Sequence, residues 1–294
     1  MDERMYADMI RIGFVDKYLN NWHSDHYPEY MRLAAKLYGS DAQLTAAWAE
    51  CDHPEGGLTT DQWCQWQGVK RAMTCEELID TVDAIMVMCA DNCLPHEELA
   101  RPALASGKPV YCDKTFAPNL AAAVRMFDRA AEYGTPMFTC SAQRYCMELL
   151  GYLDSRKAET VFCATNGPGD MINYSIHQFE MIQHVMGSGA LRCKAFSAAA
   201  SRHIVYEYGG GRLATFTQSP KAQFTMNASE GPDSGRSIEV SDYYMNFMHV
   251  LLEFFAAGKP PVSRRDTLEI MAMQQAGREA LAAPDTWVEV PCPL

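Results

Sequence analysis

A chain of 294 residues with 48% hydrophobic and 21% charged side chains has ordinary globular composition, which excludes a disordered chain and leaves room for one large domain or two of usual size. Folding at this length buries about three-quarters of the unfolded surface, so neither disulfides nor metals are required to hold a core. The formal net charge is −12 and no basic run of five residues occurs, which excludes the positive stripe that a nucleic-acid partner needs.

Along the chain, residues 10–15 (IRIGFV) read as a buried strand and residues 30–38 as a helix stopped by Gly39. A second strand is expected at 43–50, then helices at 60–67 and 75–81, a strand at 83–89 and a helix at 96–106 ending in Gly107. A strand at 109–112, a helix at 119–133 with Asn119 as N-cap and Gly134 as its stop, and a strand at 136–140 complete this half. Strands alternating with helices predict an α/β domain with a doubly wound parallel sheet. Beyond residue 145 the rhythm changes. A helix at 177–186 precedes strands at 191–198, 203–208, 212–218 and 223–228, with Gly209-Gly210-Gly211 as a hairpin turn, and helices at 241–257 and 265–282 follow. This half predicts an α+β domain with an open, largely antiparallel sheet. The expected domains are 1–142 and 143–294, with a C-terminal helix able to pack back on the first.

The eleven cysteines are scattered, with no C-x-x-C pair, and read as buried apolar thiols of a reducing cytoplasm. The first ten residues are charged rather than apolar, unlike a signal peptide, and no uncharged apolar stretch nears the ~20 residues of a membrane span. A cytoplasmic protein is expected.

Four segments in order carry a family likeness. They are residues 83–117, which end in Asp113-Lys114-Thr115 before Phe116, the SAQR of 141–144, the NYSIHQFEMIQHVMG of 173–187, and residues 244–280 with FFAAGKPPVSRRDTLE. Together they resemble the Gfo/Idh/MocA oxidoreductases. The resemblance implies an N-terminal Rossmann-like dinucleotide-binding domain, use of NAD or NADP, and a C-terminal sheet that supports dimers or tetramers. It also implies a sugar, cyclitol or related polyol as substrate; some members use bound NAD to cleave glycosidic bonds through a transient keto sugar.

Hydride transfer from a carbinol needs a proton carrier and a positive charge near the developing oxyanion. By the resemblance, Lys114 touches nicotinamide and substrate, and His177 is the catalytic histidine. Asn173 stands where the family commonly has an aspartate; it orients a hydroxyl but moves no proton. Arg144 is expected either to pair with a carboxylate or to face an acidic substrate. Glu50 and Asp52, after the second strand, are candidates for the adenosine ribose and would favour NAD by repelling a 2′-phosphate. Asp91, Asn92 and Asp113 are expected to line the cofactor.

The fingerprint G-x-G-x-x-G, which lets backbone approach a pyrophosphate, is missing: no glycine occurs between Gly13 and Gly39. Asp16, Asn20 and Asn21 occupy that turn, the aspartate opposing a pyrophosphate and the asparagines, with Ser24, offering donors. His23, His26 and Asp25 allow a metal reading, or else they line the mouth of the crevice or cap the first helix, with Ser24 or Asp25 as N-cap and Pro28 in the first turn. Three functions follow: an NAD(P)-dependent oxidoreductase or redox-assisted lyase or glycosidase; a cofactor-less sugar-binding or regulatory protein; and a metal-dependent isomerase or hydrolase using His23, His26 and His177.

Overall fold

The computed structural model describes residues 9–90, 92–197 and 199–292. These fall into two compact units. The first takes the chain up to Ala117, with Ala122–Thr139 and Phe247–Val262; the second takes Pro118–Ala121, Cys140–Asn246 and the chain from Ser263.

In the first unit strands and helices alternate: β1 (Arg11–Asp16), α1 (Trp22–Tyr38), β2 (Gln43–Ala49), α2 (Thr60–Gln67), β3 (Lys70–Arg71), α3 (Cys75–Thr81), β4 (Ala84–Val87), α4 (His96–Leu104), β5 (Val110–Cys112), α5 (Leu120–Glu132) and β6 (Met137–Phe138). The strands form a parallel sheet in the order β3-β2-β1-β4-β5-β6. Strand order reverses between β1 and β4, and open α/β sheets bind ligands beyond the carboxyl ends of their strands at such a point. Every residue of β1 after Arg11 is buried, as expected of a strand covered on both faces. A Cβ at Gly13 would lie 2.7 Å from the Leu78 side chain, so the glycine lets α3 seat against β1.

The first helix departs from expectation. It begins at Trp22 rather than near residue 30, because Asn21 caps it: the Asn21 side chain accepts from Ser24 N–H while the Ser24 hydroxyl accepts from Asn21 N–H. Neither Ser24 nor Asp25 is the cap, and Pro28 lies in the second turn. Tyr27, Met31 and Ala34 bury the inner stripe, and Gly39, at φ 71°, ends the helix.

The second unit contains α6 (Met147–Ser155), β7 (Phe162–Gly167), α7 (Ser175–Met186), β8 (Ala190–Ser197), β9 (Arg202–Tyr208), β10 (Leu213–Gln218), β11 (Thr225–Ser229) and β12 (Arg236–Glu239). Helix α8 (Tyr244–Ala257) follows and, from Phe247, belongs to the first unit; α9 (Arg264–Ala282) and β13 (Trp287–Glu289) return to the second. The sheet runs β12-β11-β7-β10-β9-β8-β13. Its pairs are antiparallel except for β7 with β10. Helices α7 and α9 cover one face. There Tyr206 donates to the Met273 carbonyl at 2.9 Å, and a Cβ at Gly277 would meet the Tyr206 oxygen at 2.3 Å. Phe162, Phe196, Leu213 and Trp287 remain exposed on the sheet. Elements α6, β7, β12 and β13 were not legible in the sequence. Among the described residues no helix is long and apolar enough to cross a membrane.

Candidate active site

In the first unit, the switch-point end of the sheet carries a network of buried side chains. Asp16 ends β1 with its carboxylate sealed from solvent, and accepts from Lys17 N–H at 2.7 Å, Cys89 N–H at 3.0 Å and the Asn21 amide at 2.9 Å. Burial pushes its pKa up to about 7, against the pull of those three donors. Asp113 follows β5 and is fully buried, paired with the His23 ring on α1. It also accepts from Tyr111 O–H at 3.0 Å and Lys114 N–H at 2.8 Å. Burial raises the pKa of Asp113, but His23 and Lys114 together outweigh it and hold the carboxyl below its usual range.

Lys114 is half-buried and donates its ammonium to the Ala90 carbonyl, just past β4, at 2.8 Å. Two strand ends thereby position one amine. Of the other candidates here, Glu50 is exposed and pairs with Lys17 at 2.8 Å. Asp52 is spent on Thr60 at the start of α2, accepting from its N–H at 2.7 Å and hydroxyl at 2.9 Å. Those Thr60 hydrogen bonds hold its carboxyl below the usual range. Asn20, at φ 66°, donates to Asp25 and accepts from Leu58 N–H, both at 2.9 Å. Asn92 is exposed, its side chain accepting from Leu94 N–H at 3.0 Å. Asp91 lies outside the described residues.

The suggested metal ligands do not assemble. His23 is held by Asp113, while the His26 ring stacks on Trp22 at 4.3 Å and donates to the Trp22 carbonyl at 2.7 Å. Asp25 accepts from Trp63 Nε1 at 2.8 Å and from Asn20. Among the described residues no three His, Cys, Asp or Glu side chains could share a metal ion. The metal-dependent reading is set aside on this ground of side-chain placement.

In the second unit, His177 lies in the first turn of α7, half-buried, with its Nδ1 2.6 Å from the Ser141 hydroxyl. Phe224 meets the ring edge-on at 5.3 Å between centroids, and Tyr174 does so at 5.9 Å. Asn173 sits in the turn before α7, its N–H donating to Asp170 at 2.9 Å. Arg144 is buried and committed internally, donating to Glu180 at 3.0 Å and to Gln183 at 2.8 Å. Burial pushes the Glu180 carboxyl up to about 7 although Arg144 pulls it down. Arg144 thus serves the interior of this unit rather than an acidic ligand. Sequence reasoning missed the role of Ser141 and weighed His23 as a metal ligand or as lining the crevice mouth, not as the partner of Asp113; no local pattern links Ser141 to a residue 36 positions away or His23 to one 90 away.

The sheet order and its crossovers define a Rossmann-type α/β protein with a second, mixed-sheet unit. Residues 22–140 match the model of the Gfo/Idh/MocA oxidoreductase family, NAD-binding Rossmann fold. A probable dehydrogenase of Thermotoga maritima superposes with a TM-score of 0.78 at 18% identity, covering 96% of this chain and 99% of its own. Myo-inositol 2-dehydrogenase of Lactobacillus plantarum gives 0.74 at 13% identity over 96% and 100% of the two chains. Levoglucosan dehydrogenase, solved with NADH and levoglucosan, gives 0.76 at 11% over 96% and 99%. These likenesses show the fold. Among curated proteins none matches the sequence.

Two parts of the first unit suit a nicotinamide dinucleotide. The carboxylate of Glu50 follows β2 and the amine of Lys114 follows β5, both at the carboxyl ends of the strands, where open α/β sheets bind ligands. Five residues separate the end of β1 from α1, whose N-terminus carries the positive end of the helix dipole that suits a phosphate. The turn itself is rebuilt. Side chains of Asp16 and Asn21 close it where glycines would leave backbone open.

Proposed function

We propose that this chain is an oxidoreductase using a nicotinamide dinucleotide, NAD in preference to NADP, on a sugar, cyclitol or related polyol. A redox-assisted cleavage of a glycosidic bond is a variant of the same chemistry. The observation that carries the reading is the Lys114 amine, anchored on the Ala90 carbonyl at the switch-point end of a parallel sheet. Glu50, Lys114 and the N-terminus of α1 would hold the dinucleotide, which when bound supplies the hydride acceptor or donor.

The chain's own residues do the rest. Lys114 presents positive charge to an oxygen that gains negative charge during the reaction, which is where a fixed cation stabilises most. His177 contacts the substrate through its ring, and Asn173 orients a neighbouring hydroxyl. The polyol class is supported by the names of two structural relatives, a myo-inositol dehydrogenase and a levoglucosan dehydrogenase. Self-association through the exposed Phe162, Phe196, Leu213 and Trp287 of the mixed sheet belongs to the same reading, as does a reducing, cytoplasmic setting for free cysteines.

Mass spectrometry of the purified protein and titration with NAD and NADP test the proposal, followed by NADH absorbance with a panel of inositols and hexoses. Retained or titratable NAD with turnover of a polyol upholds it. One observation favours a second reading: the carboxylate of Asp16 closes the phosphate turn, as in a descendant that keeps the fold as a sugar-binding or regulatory protein. Polyol binding without any nucleotide up to millimolar concentration would establish that reading instead.

A further inference from the structure

From Gly167, the last residue of β7, to Tyr174, the residue before α7, the chain reads GPGDMINY and brings an aromatic ring to His177. The Tyr174 ring lies 5.9 Å from the imidazole, centroid to centroid, at an interplanar angle of 71°. Phe224, the residue before β11, lies 5.3 Å from the same imidazole at 75°. Each aromatic residue is seated by a glycine. A Cβ at Gly169 would come within 2.3 Å of Cγ of Tyr174, and one at Gly167 within 2.7 Å of the Phe224 ring. Buried amides of two other elements pin the loop itself. Gln218, ending β10, donates to the Pro168 and Asp170 carbonyls at 3.1 and 2.9 Å. Gln274 on α9 donates to those of Met171 and Ile172 at 3.2 and 3.1 Å. The position of Tyr174 is therefore fixed before any ligand arrives, yet the residue is 46% exposed. Of the two aromatic neighbours of His177 it is the more exposed, and so the one open to a ligand.

A pyranose or cyclitol with equatorial hydroxyls carries C–H bonds on its two ring faces and hydroxyls around its rim. Laid flat on an aromatic ring, it buries an apolar face and keeps its hydroxyls free at the edge. An open-chain polyol has no such face, because its hydroxyls are spread around a flexible backbone. We propose that Tyr174 is the stacking platform of the substrate site, taking the C–H face of a ring polyol, so that the chain selects pyranoses and cyclitols over open-chain polyols. The inference rests on the reading of His177 as a substrate contact made above, and it narrows the substrate class. With the flat face of the ligand on Tyr174, rim hydroxyls turn toward the neighbouring imidazole. A ring held in place beforehand costs little ordering when the ligand arrives, which is where a rigid aromatic contact gains over a mobile one.

Calorimetric titration of the full-length chain tests this, with NADH present and again without nucleotide, so that no alcohol is oxidised. The probes are scyllo-inositol and methyl β-glucopyranoside, both rings with equatorial hydroxyls, and sorbitol, an open-chain hexitol. Wild type should bind at least one of the rings more tightly than sorbitol, by about tenfold. Tyr174→Ala should weaken ring binding about tenfold and leave sorbitol unchanged, while Tyr174→Phe, which keeps the aromatic face, should stay within about threefold of wild type. Tyr174→Leu, which keeps bulk without an aromatic face, should behave like the alanine variant. The phenylalanine and leucine variants decide the matter even where alanine prevents folding. Ring binding unchanged in Tyr174→Leu, or a loss shared equally by rings and sorbitol, overturns the platform. So does a lower sedimentation mass of Tyr174→Ala, which would make the exposed ring an interface between copies. If rings bind selectively through Tyr174 while no nucleotide binds, the platform stands and the oxidoreductase reading is what fails. If wild type binds no polyol under either condition, both fall.

Discussion

Asp113, at the carboxyl end of β5, is paired with His23 in the first turn of α1, across the strand order reversal of the first unit. The carboxylate has no solvent exposure and the imidazole side chain about 12%. This contact ties the turn between β1 and α1 to the segment that carries Lys114, since Asp113 also accepts from Lys114 N–H.

Removing the imidazole leaves a buried charge with only neutral donors. His23→Ala is expected to cost about 3–5 kcal/mol in urea unfolding at pH 7, and Asp113→Asn in the same background to recover part of it. The carboxyl of Asp113 is held below its unfolded value, so its contribution is present above the ordinary carboxylate range and lost as pH falls through the folded value. Costs that simply add in the double variant would contradict the coupling.

Asp16 behaves in the opposite sense. Its folded pKa, pushed up to about 7 by burial, lies above the unfolded value near 3.8. The folded state therefore binds the proton more tightly, and stability from this group is full below pH 4 and declines as pH rises to about 7, by on the order of 4 kcal/mol. Asp16→Asn removes that decline at the expense of one hydrogen bond to Asn21. The expected outcome is a flatter dependence of the unfolding midpoint on pH between 4 and 8; parallel curves for wild type and variant would refute the buried, proton-binding carboxylate.

On the proposed reading, Glu50 is the residue that sets nucleotide preference. Its carboxylate is exposed and close to the ammonium of Lys17. Glu50→Ser leaves Lys17 without its partner beside the position of a ribose 2′-phosphate, and should shift relative affinity from NAD toward NADP by about tenfold, read by fluorescence titration with NADH and NADPH. An unchanged ratio would separate Glu50 from the ribose.

The open sheet face makes a prediction about assembly. Leu213 and Phe162 are direct cross-strand neighbours on β10 and β7, and both are more than a third exposed. Leu213→Glu places a charge beside Phe162 on the sheet. Sedimentation should show a lower mass than wild type, with the circular dichroism spectrum preserved; identical masses would remove this face as an interface.

Much of the architecture could be read locally. Alternating apolar runs and helical stripes specify which segments become strands and helices of the first unit, because a side chain's burial there follows the period of its own element. Glycines at 39 and 134 mark helix ends because each adopts a positive φ that other residues rarely adopt. The family likeness, too, lay in ordered segments with Lys114 and His177 at recognisable places. What only the tertiary structure decided were pairings between distant positions: His23 with Asp113, Ser141 with His177, Arg144 with Glu180. Nothing within a few residues of these side chains specifies their partners. They meet because the sheet order brings strand ends together and because a buried polar group left unpaired is costly. The same cause explains the short strands β7, β12 and β13, whose hydrogen-bonding edges are set by neighbours far along the chain, and it explains why the turn after β1 is tied together by the side chains of Asp16 and Asn21 rather than merely lacking glycine.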